Sequence, residues 1–349
     1  MTNITFEKAN LTHKKAIFTW LDTPHFKEFW DNSQAHLDDI LIFINGRKEP
    51  SNYFHGTFTY WVGSINDEPF CFLLTAQVTE DGGFPDLWID HLSKTGNTYS
   101  IDFGIGNKKY LEKGLTAPTL QAFAKFFQEQ IDEKADTFFI DPDENNPKAK
   151  HVYEKAGFKN IGEFTMAGGV FEGHNTFLMA KKLPSKYHLI EATINDYPII
   201  QNMARFYVYD RSAYHGWACE DDGMFECIDF KHYFTEKDKY AYLIKVGNEL
   251  AGFALIDKLG STPNIDWNMG EFYILAKFQG SGIAKRIAIE LFNKFKGSWE
   301  TSAIPGNNKA LKFWRKVVDE YSDGKYTEEM KKIEEPEPHR MIVIMFKNK

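Results

Sequence analysis

The sequence predicts a mixed α/β protein in which one order of strands and helices is written twice. Three observations carry this. Each half opens with a hairpin of β-branched and aromatic runs. Each then places a glycine-bearing turn before an amphipathic helix. Each follows a short apolar strand with a helix opened by asparagine. Hairpins followed by strand–helix alternation predict a mixed, mostly antiparallel twisted sheet flanked by helices, not a fully parallel one.

In the first half, 57–65 and 70–78 read as strands around the turn Asn66-Asp67-Glu68-Pro69. A third strand is expected at 98–105. A helix follows over 114–131, where Leu115, Ala122, Phe123, Phe126, Phe127 and Ile131 keep helical spacing and Pro118 sits in the first turn. Residues 136–141 form a short buried strand. Residues 146–158 form a helix capped by Asn146, opened by Pro147 and closed by Gly157. Residues 176–180 are a further apolar strand. The second half repeats the order. A hairpin at 241–247 and 249–258 precedes a strand at 269–276, a helix at 282–295, a strand at 298–304, a helix at 307–317 and a last strand at 341–346. The charged, proline-containing stretch 326–339 reads as a loop. The paired landmarks, Gly114 with Gly282 and Asn146 with Asn307, lie too far apart for a solenoid repeat. They fit a tandem duplication, with one domain over 1–183 and a second over 187–349, joined by a short connector near the Pro184-Ser185 step.

Composition narrows the function. The chain has 349 residues, 43% hydrophobic and 26% charged, which is ordinary for globular domains. A net charge of −8 disfavours a nucleic-acid partner and suits a cationic small molecule. The three cysteines form no CxxC, and the eleven histidines show no HxxxH or HExxH, so no metal is expected. No apolar run is long enough for a membrane span, and the N-terminal stretch lacks a signal core. The expectation is a cytoplasmic protein with a homo-oligomer left open. Aromatics reach 16%, which fits either large cores or aromatic pocket walls.

The turns before the two helices carry the chemistry. The second is Gln279-Gly280-Ser281-Gly282-Ile283-Ala284; the first is Leu111-Glu112-Lys113-Gly114-Leu115-Thr116. Backbone amides at a helix start favour an anion, and glycine lets the backbone approach it. Neither turn has the GxxxxGK(S/T) pattern, and neither opens its domain as a dinucleotide fingerprint does. Both follow the Q/R-x-x-G-x-G/A order, with Leu111 and Thr116 departing from it in the first copy, and both precede an N-x-x-A helix at Asn146/Ala149 and Asn307/Ala310.

On these motifs the chain resembles the GCN5-related N-acetyltransferases (GNAT), twice over. The resemblance implies acetyl-CoA as cofactor, held by the two turns, with Asn146 and Asn307 near its pantetheine arm. The first half is similar to the aminoglycoside 6′-N-acetyltransferases over TWLDTPHFKEFW (19–30), DLW (86–88), SID (100–102), KGL (113–115) and NPKAKHVYEKAGF (146–158). That resemblance implies that Asp86 and Asp102 grip the acceptor amine, with Asp102 helping to deprotonate it. It places Trp30 and Trp88 beside the acceptor and Tyr153 near the cofactor sulfur. Siderophore-forming hydroxylysine acetyltransferases look similar over much of the same length.

The chemistry is coherent on its own. An ammonium must lose a proton before it attacks a thioester, and a carboxylate can bind the cation and take that proton. A tyrosine hydroxyl can donate to the departing thiolate. In the second half Glu271 is the candidate base, and Trp314, which has no hydroxyl, stands where Tyr153 stands in the first. The segment 206–225, dense in aromatics and acids, fits either a pocket for a cation or an aromatic interface. The expected function is acetyl transfer to a primary amine of a cationic small molecule, an aminoglycoside being the first candidate. Siderophore hydroxylysine or polyamine acetylation is the alternative. A further one is an acyl-CoA-sensing protein with one inactive domain, motivated by Leu111, Thr116 and Trp314.

Overall fold

A computed structural model describes residues 3–333 and 338–348. The chain divides into two compact units, Met1–Ser185 and Lys186–Lys349. The first contains β1 (Ile4–Lys8), α1 (Lys14–Leu21), α2 (Pro24–Phe29), α3 (Gln34–Ile44), β2 (Thr59–Ile65), β3 (Glu68–Val78) and α4 (Asp86–Ile89). It continues with β4 (Asn97–Ile105), α5 (Thr116–Gln130), β5 (Ala135–Ile140), α6 (Pro147–Lys155), β6 (Lys159–Thr165) and β7 (Asn175–Lys182). The second contains β8 (His188–Glu191), α7 (Tyr197–His215), β9 (Tyr240–Val246), β10 (Glu249–Asp257) and β11 (Trp267–Ile274). It ends with α8 (Ile283–Lys294), β12 (Ser298–Ala303), α9 (Asn308–Ser322), β13 (Tyr326–Ile333) and β14 (His339–Lys347).

The two units share one topology. The first sheet runs β1-β2-β3-β4-β5-β7-β6 and the second β8-β9-β10-β11-β12-β14-β13. Among the described strands every neighbouring pair is antiparallel except β4/β5 and β11/β12. A parallel pair needs a crossover, and α5 and α8 supply it.

Each sheet is covered on both faces, which explains why the central strands are apolar runs without polar alternation. On β2, Tyr60 packs with Ile17, Trp20 and Ile40 of the first helices. Its neighbour Trp61 packs on the opposite face with Phe123 and Phe127 of α5. In the second unit Ile287, Leu291, Trp299 and Trp314 fill one face, and Ile200, Met203, Phe253 and Leu255 the other. The largest fully buried side chains are all aromatic, so much of the aromatic excess is core.

The β2–β3 hairpin closes on Asn66 and Asp67, both with positive φ, as a tight two-residue turn requires. Glu68 and Pro69, expected in that turn, already belong to β3. A larger correction concerns 326–339. Tyr326–Ile333 is strand β13, paired with β14 throughout, while 334–337 lie outside the described residues. Its charges are those of an edge strand, where they discourage pairing with other chains. Glu328 is held by Arg315 of α9 at 2.8 and 2.7 Å. No helix among the described residues is long and apolar enough to cross a membrane.

One buried polar cluster anchors α3 to the first sheet. Asp39 is 0% exposed and accepts from Arg47 Nη2 at 2.5 Å, from Tyr60 Oη at 2.7 Å and from Ser51 Oγ. Removing one partner of such a pair leaves an uncompensated buried charge. Asp39→Ala is therefore expected to destabilise the first unit by about 3–5 kcal/mol. Calorimetric unfolding of the full chain checks this; an unshifted first-unit transition contradicts it.

Candidate active site

In the first unit the strands β4 and β5 pair only from Asn97 to Ser100, then separate. Asp102 lies just beyond the last pair, opposite Leu74 of β3. It is half-buried, and burial pushes its carboxyl up to about 6. Across the splay, Asp141 follows β5 directly. Burial first, and then the negative charge of Asp102, raise its carboxyl well above the carboxylate range. The two acids therefore titrate as a pair. Tyr153 of α6 sits beside both. Burial and the two aspartates hold its phenol above its ordinary value, so it keeps its proton.

Aromatic residues pack near Asp102. Tyr53 feels the charges of Asp31, Asp102 and Asp39 and donates to Asp31 at 2.8 Å. His36, 1% exposed, is stacked on Tyr53 at 4.4 Å and lies parallel to Trp30 at 6.3 Å. Burial lowers the His36 pKa and keeps the ring neutral. Its Nδ1 lies 2.7 Å from the Asp31 carbonyl, which assigns the proton to Nδ1 and leaves Nε2 an acceptor. That Nε2 and the Trp30 Nε1–H are buried with no partner. One unfilled acceptor and one unfilled donor thus lie in the same wall.

Asp86 is exposed at the start of the one-turn α4. Trp88 is 5% exposed and packs with Phe84, Phe139 and Phe164 in a small satellite core. The structure brings Asp102 and Tyr153 together and adds Asp141 and Tyr53, which sequence reasoning missed along with Asp31 and His36; Trp30 stacks on His36, one ring further from Tyr53. Asp141 closes the DTFFID run, and an acid directly after the buried Phe138-Phe139-Ile140 triplet was a readable signal.

The glycine turns keep one backbone form. Glu112 and Gly114 have φ of 58° and 68°; Gly280 and Gly282 have 80° and 83°. Glu112 thus adopts a conformation that the second copy gives to glycine. Nothing lies within 4 Å of a Cβ built on Gly114, Gly280 or Gly282. Neither α5, starting at Thr116 after Leu115, nor α8, starting at Ile283 and Ala284, has a side-chain cap. Their first amides remain as donors, the arrangement that binds phosphates. Leu111 packs into the core, and Lys113 lies over the Tyr110 ring. Gln279 instead ties its turn down, donating to the Ile274 carbonyl at 2.7 Å and accepting from Lys309 at 2.5 Å. Ser281 donates to the Phe278 carbonyl. Asn146 and Asn307 accept from the Ala149 and Ala310 amides at 3.1 and 3.0 Å, so their side-chain oxygens serve as helix caps.

In the second unit β11 pairs with β12 only at Trp267 and Asn268. Glu271 lies beyond the splay, opposite Leu255. A bulge at Gly270 precedes it, where an added Cβ would meet Tyr233 Oη and Asp257. The one-residue difference between the spacings Asp102–Gly114 and Glu271–Gly282 does not arise there. Two residues, Gly106 and Asn107, join β4 to the next 3-10 turn, whereas Leu275 alone does so after β11. Glu271 is not a free base. Arg211 of α7 lies 3.7 Å away, and burial raises the Glu271 carboxyl while this cation counteracts it. Trp314 is 5% exposed, packed on Phe272 and Phe313.

Comparison with known proteins agrees with this frame. A family described as an acetyltransferase (GNAT) domain matches residues 10–166, and one described as the acetyltransferase (GNAT) family matches 203–318. Aminoglycoside N(6′)-acetyltransferases type 1 of Klebsiella pneumoniae and of Serratia marcescens are each 27% identical over 153 residues, covering 44% of this chain and 72% of theirs. The crystal structure of an aminoglycoside N(6′)-acetyltransferase from Legionella pneumophila matches with 24% identity and a TM-score of 0.40. It covers 52% of this chain and 93% of that one. With a duplicated topology, two glycine turns and a family match in each half, the chain is a tandem pair of GNAT acetyltransferase domains, the first similar in sequence to aminoglycoside N(6′)-acetyltransferases.

Proposed function

We propose that the first domain transfers an acetyl group from acetyl-CoA to a primary amine of a polycationic small molecule, with an aminoglycoside as the favoured acceptor. The observation that carries this is the aspartate pair at the β4/β5 splay, beside a protonated Tyr153 and within one connection of the Gly114 turn. A pair of facing carboxyls attracts a cation and repels an anion. The uncapped amides of α5 and the open Gly114 suit a pyrophosphate. Acetyl-CoA would supply an activated thioester, so no covalent enzyme nucleophile is needed.

In this reading Asp102 binds the ammonium and accepts its proton, and Asp141 binds the same or a neighbouring cationic group. Tyr153 donates to the departing thiolate. A polyamine offers cationic groups to both carboxyls. The 27% identity to two aminoglycoside acetyltransferases favours the aminoglycoside class over hydroxylysine and aliphatic polyamines. Acetylation removes one positive charge, which would weaken the acceptor's hold on RNA phosphates.

Acceptor kinetics, pH dependence and cofactor binding check the proposal. Turnover of kanamycin-type acceptors, polyamines and N6-hydroxylysine is compared by kcat/KM, and Asp102→Asn is expected to lower the preferred value about 10²-fold or more. The same kcat/KM should fall as pH drops through about 6, because protonation removes the charge that burial has destabilised. Asp141→Asn leaves that limb in place, since burial is what raises the Asp102 carboxyl. A flat profile between pH 5 and 7 would exclude Asp102 as the essential base. Tyr153→Phe should lower kcat about 10²-fold with little change in KM; an equal rise in KM alone contradicts the acid role. Gly114→Ala meets no steric clash but places a side chain at φ 68°, costing about 1–2 kcal/mol. Calorimetry should find acetyl-CoA binding weakened roughly tenfold or more.

A further inference from the structure

The second domain repeats the splayed strand and the glycine turn but reverses the charge at the acceptor end. The first domain sets an aspartate, Asp141, across from Asp102. The residue after β12 is Ile304, and the groups facing Glu271, Arg211 and Tyr207, come from α7 instead. Tyr207 and Arg211, four apart, share one face of that helix. The Arg211 guanidinium lies over the Tyr207 ring at 5.2 Å and the Trp217 ring at 5.8 Å. Its Nη1 donates to Tyr207 Oη at 3.2 Å, and Nη2 lies 3.3 Å from His215 Nε2, whose ring stacks on Trp217.

The ion pair with Glu271, at 3.7 Å, is longer than a hydrogen bond, and Arg211 Nε is buried without a partner. A guanidinium has five donors suited to a planar carboxylate, and this one leaves part of that capacity unused. Both side chains keep some solvent access, 20% for Arg211 and 14% for Glu271. A cation alone would be repelled by Arg211, and an anion alone by Glu271. A zwitterion exchanges one loose pair for two, with no charge left uncompensated.

We infer that the cleft of the second domain takes an acceptor that is both amine and carboxylate, an amino acid, with Arg211 reading the carboxylate and Glu271 the amine. The transfer step rests on the acetyl-CoA reading of the glycine turns. The ammonium gives a proton to Glu271, its nitrogen bonds the acyl carbon as the C–S bond breaks, and the second nitrogen proton passes to the departing thiolate, giving the amide and the coenzyme A thiol. Recognition of the zwitterion itself does not depend on that step.

The test uses the full chain carrying Asp102→Asn and Asp141→Asn, which removes the acidic pair of the first cleft. L-Phenylalanine is compared with phenethylamine, and L-lysine with cadaverine; each pair differs by one carboxylate. Calorimetry without acyl donor should show at least tenfold tighter binding of one of these amino acids over its amine. Arg211→Gln should erase the preference and Arg211→Lys should restore part of it. Coenzyme A release with acetyl-CoA should follow the same order. Equal or tighter binding of both amines, binding of neither amino acid, or a preference that survives Arg211→Gln overturns the inference. A carboxylate preference that depends on Arg211 but comes with no acetyl-CoA binding or turnover upholds zwitterion recognition and overturns acetyl transfer in this domain.

Discussion

The structure of each domain depends on one parallel strand pair in an otherwise antiparallel sheet. Two parallel neighbours cannot be joined by a hairpin, so the chain leaves the sheet, turns, and returns through a helix. That crossover is α5 in the first domain and α8 in the second, and its start must lie close to the end of the strand it follows. The pair is also short. β4 and β5 separate after Ser100, and β11 and β12 after Asn268, so each unpaired strand end faces a groove. A glycine turn with unused amides at one point of that groove and a carboxylate at another are both consequences of the same parting.

On this shared frame the two domains differ through residues contributed by neighbouring elements. Asp102 and Glu271 occupy the corresponding strand, yet their carboxyls meet opposite partners. Asp102 faces Asp141, a like charge, in a wall containing Tyr53 and His36. Glu271 faces Arg211, an opposite charge clamped between aromatic rings. Burial raises both carboxyls, but only in the second domain does a cation counteract it. A duplicated fold can therefore keep its turn geometry while changing the charge that faces the strand carboxylate. The loss of a tyrosine at Trp314 fits the same divergence, since that side chain is committed to packing.

The two glycine turns show how geometry outlasts residue identity. The second copy uses glycine at both left-handed positions and secures the turn with Gln279. The first keeps the same backbone with Glu112 at one of them. There the preceding 3-10 turn is held by Glu68, which accepts from Lys109, Tyr110 and Asn107 and whose carboxyl those donors lower to about 2. Different side chains thus stabilise one amide arrangement.

Local signals in the sequence determined the duplicated order of elements, the hairpins, the crossover helices and the two glycine turns, because periodicity, capping residues and turn chemistry act over a few residues. Asn146 and Asn307 are helix caps as their spacing required. The edge strand Tyr326–Ile333 was hidden by its charges, which report on exposure rather than on conformation. The composition of each acceptor wall was decided only by tertiary structure. Asp141 reaches Asp102 through strands paired in space, Tyr53 and His36 arrive from α3 and the loop after it, and Arg211 arrives from a helix well before Glu271 in the chain. Whether a carboxylate meets a like or an opposite charge depends on which elements pack around it, and that is fixed by burial of the whole core rather than by any local pattern.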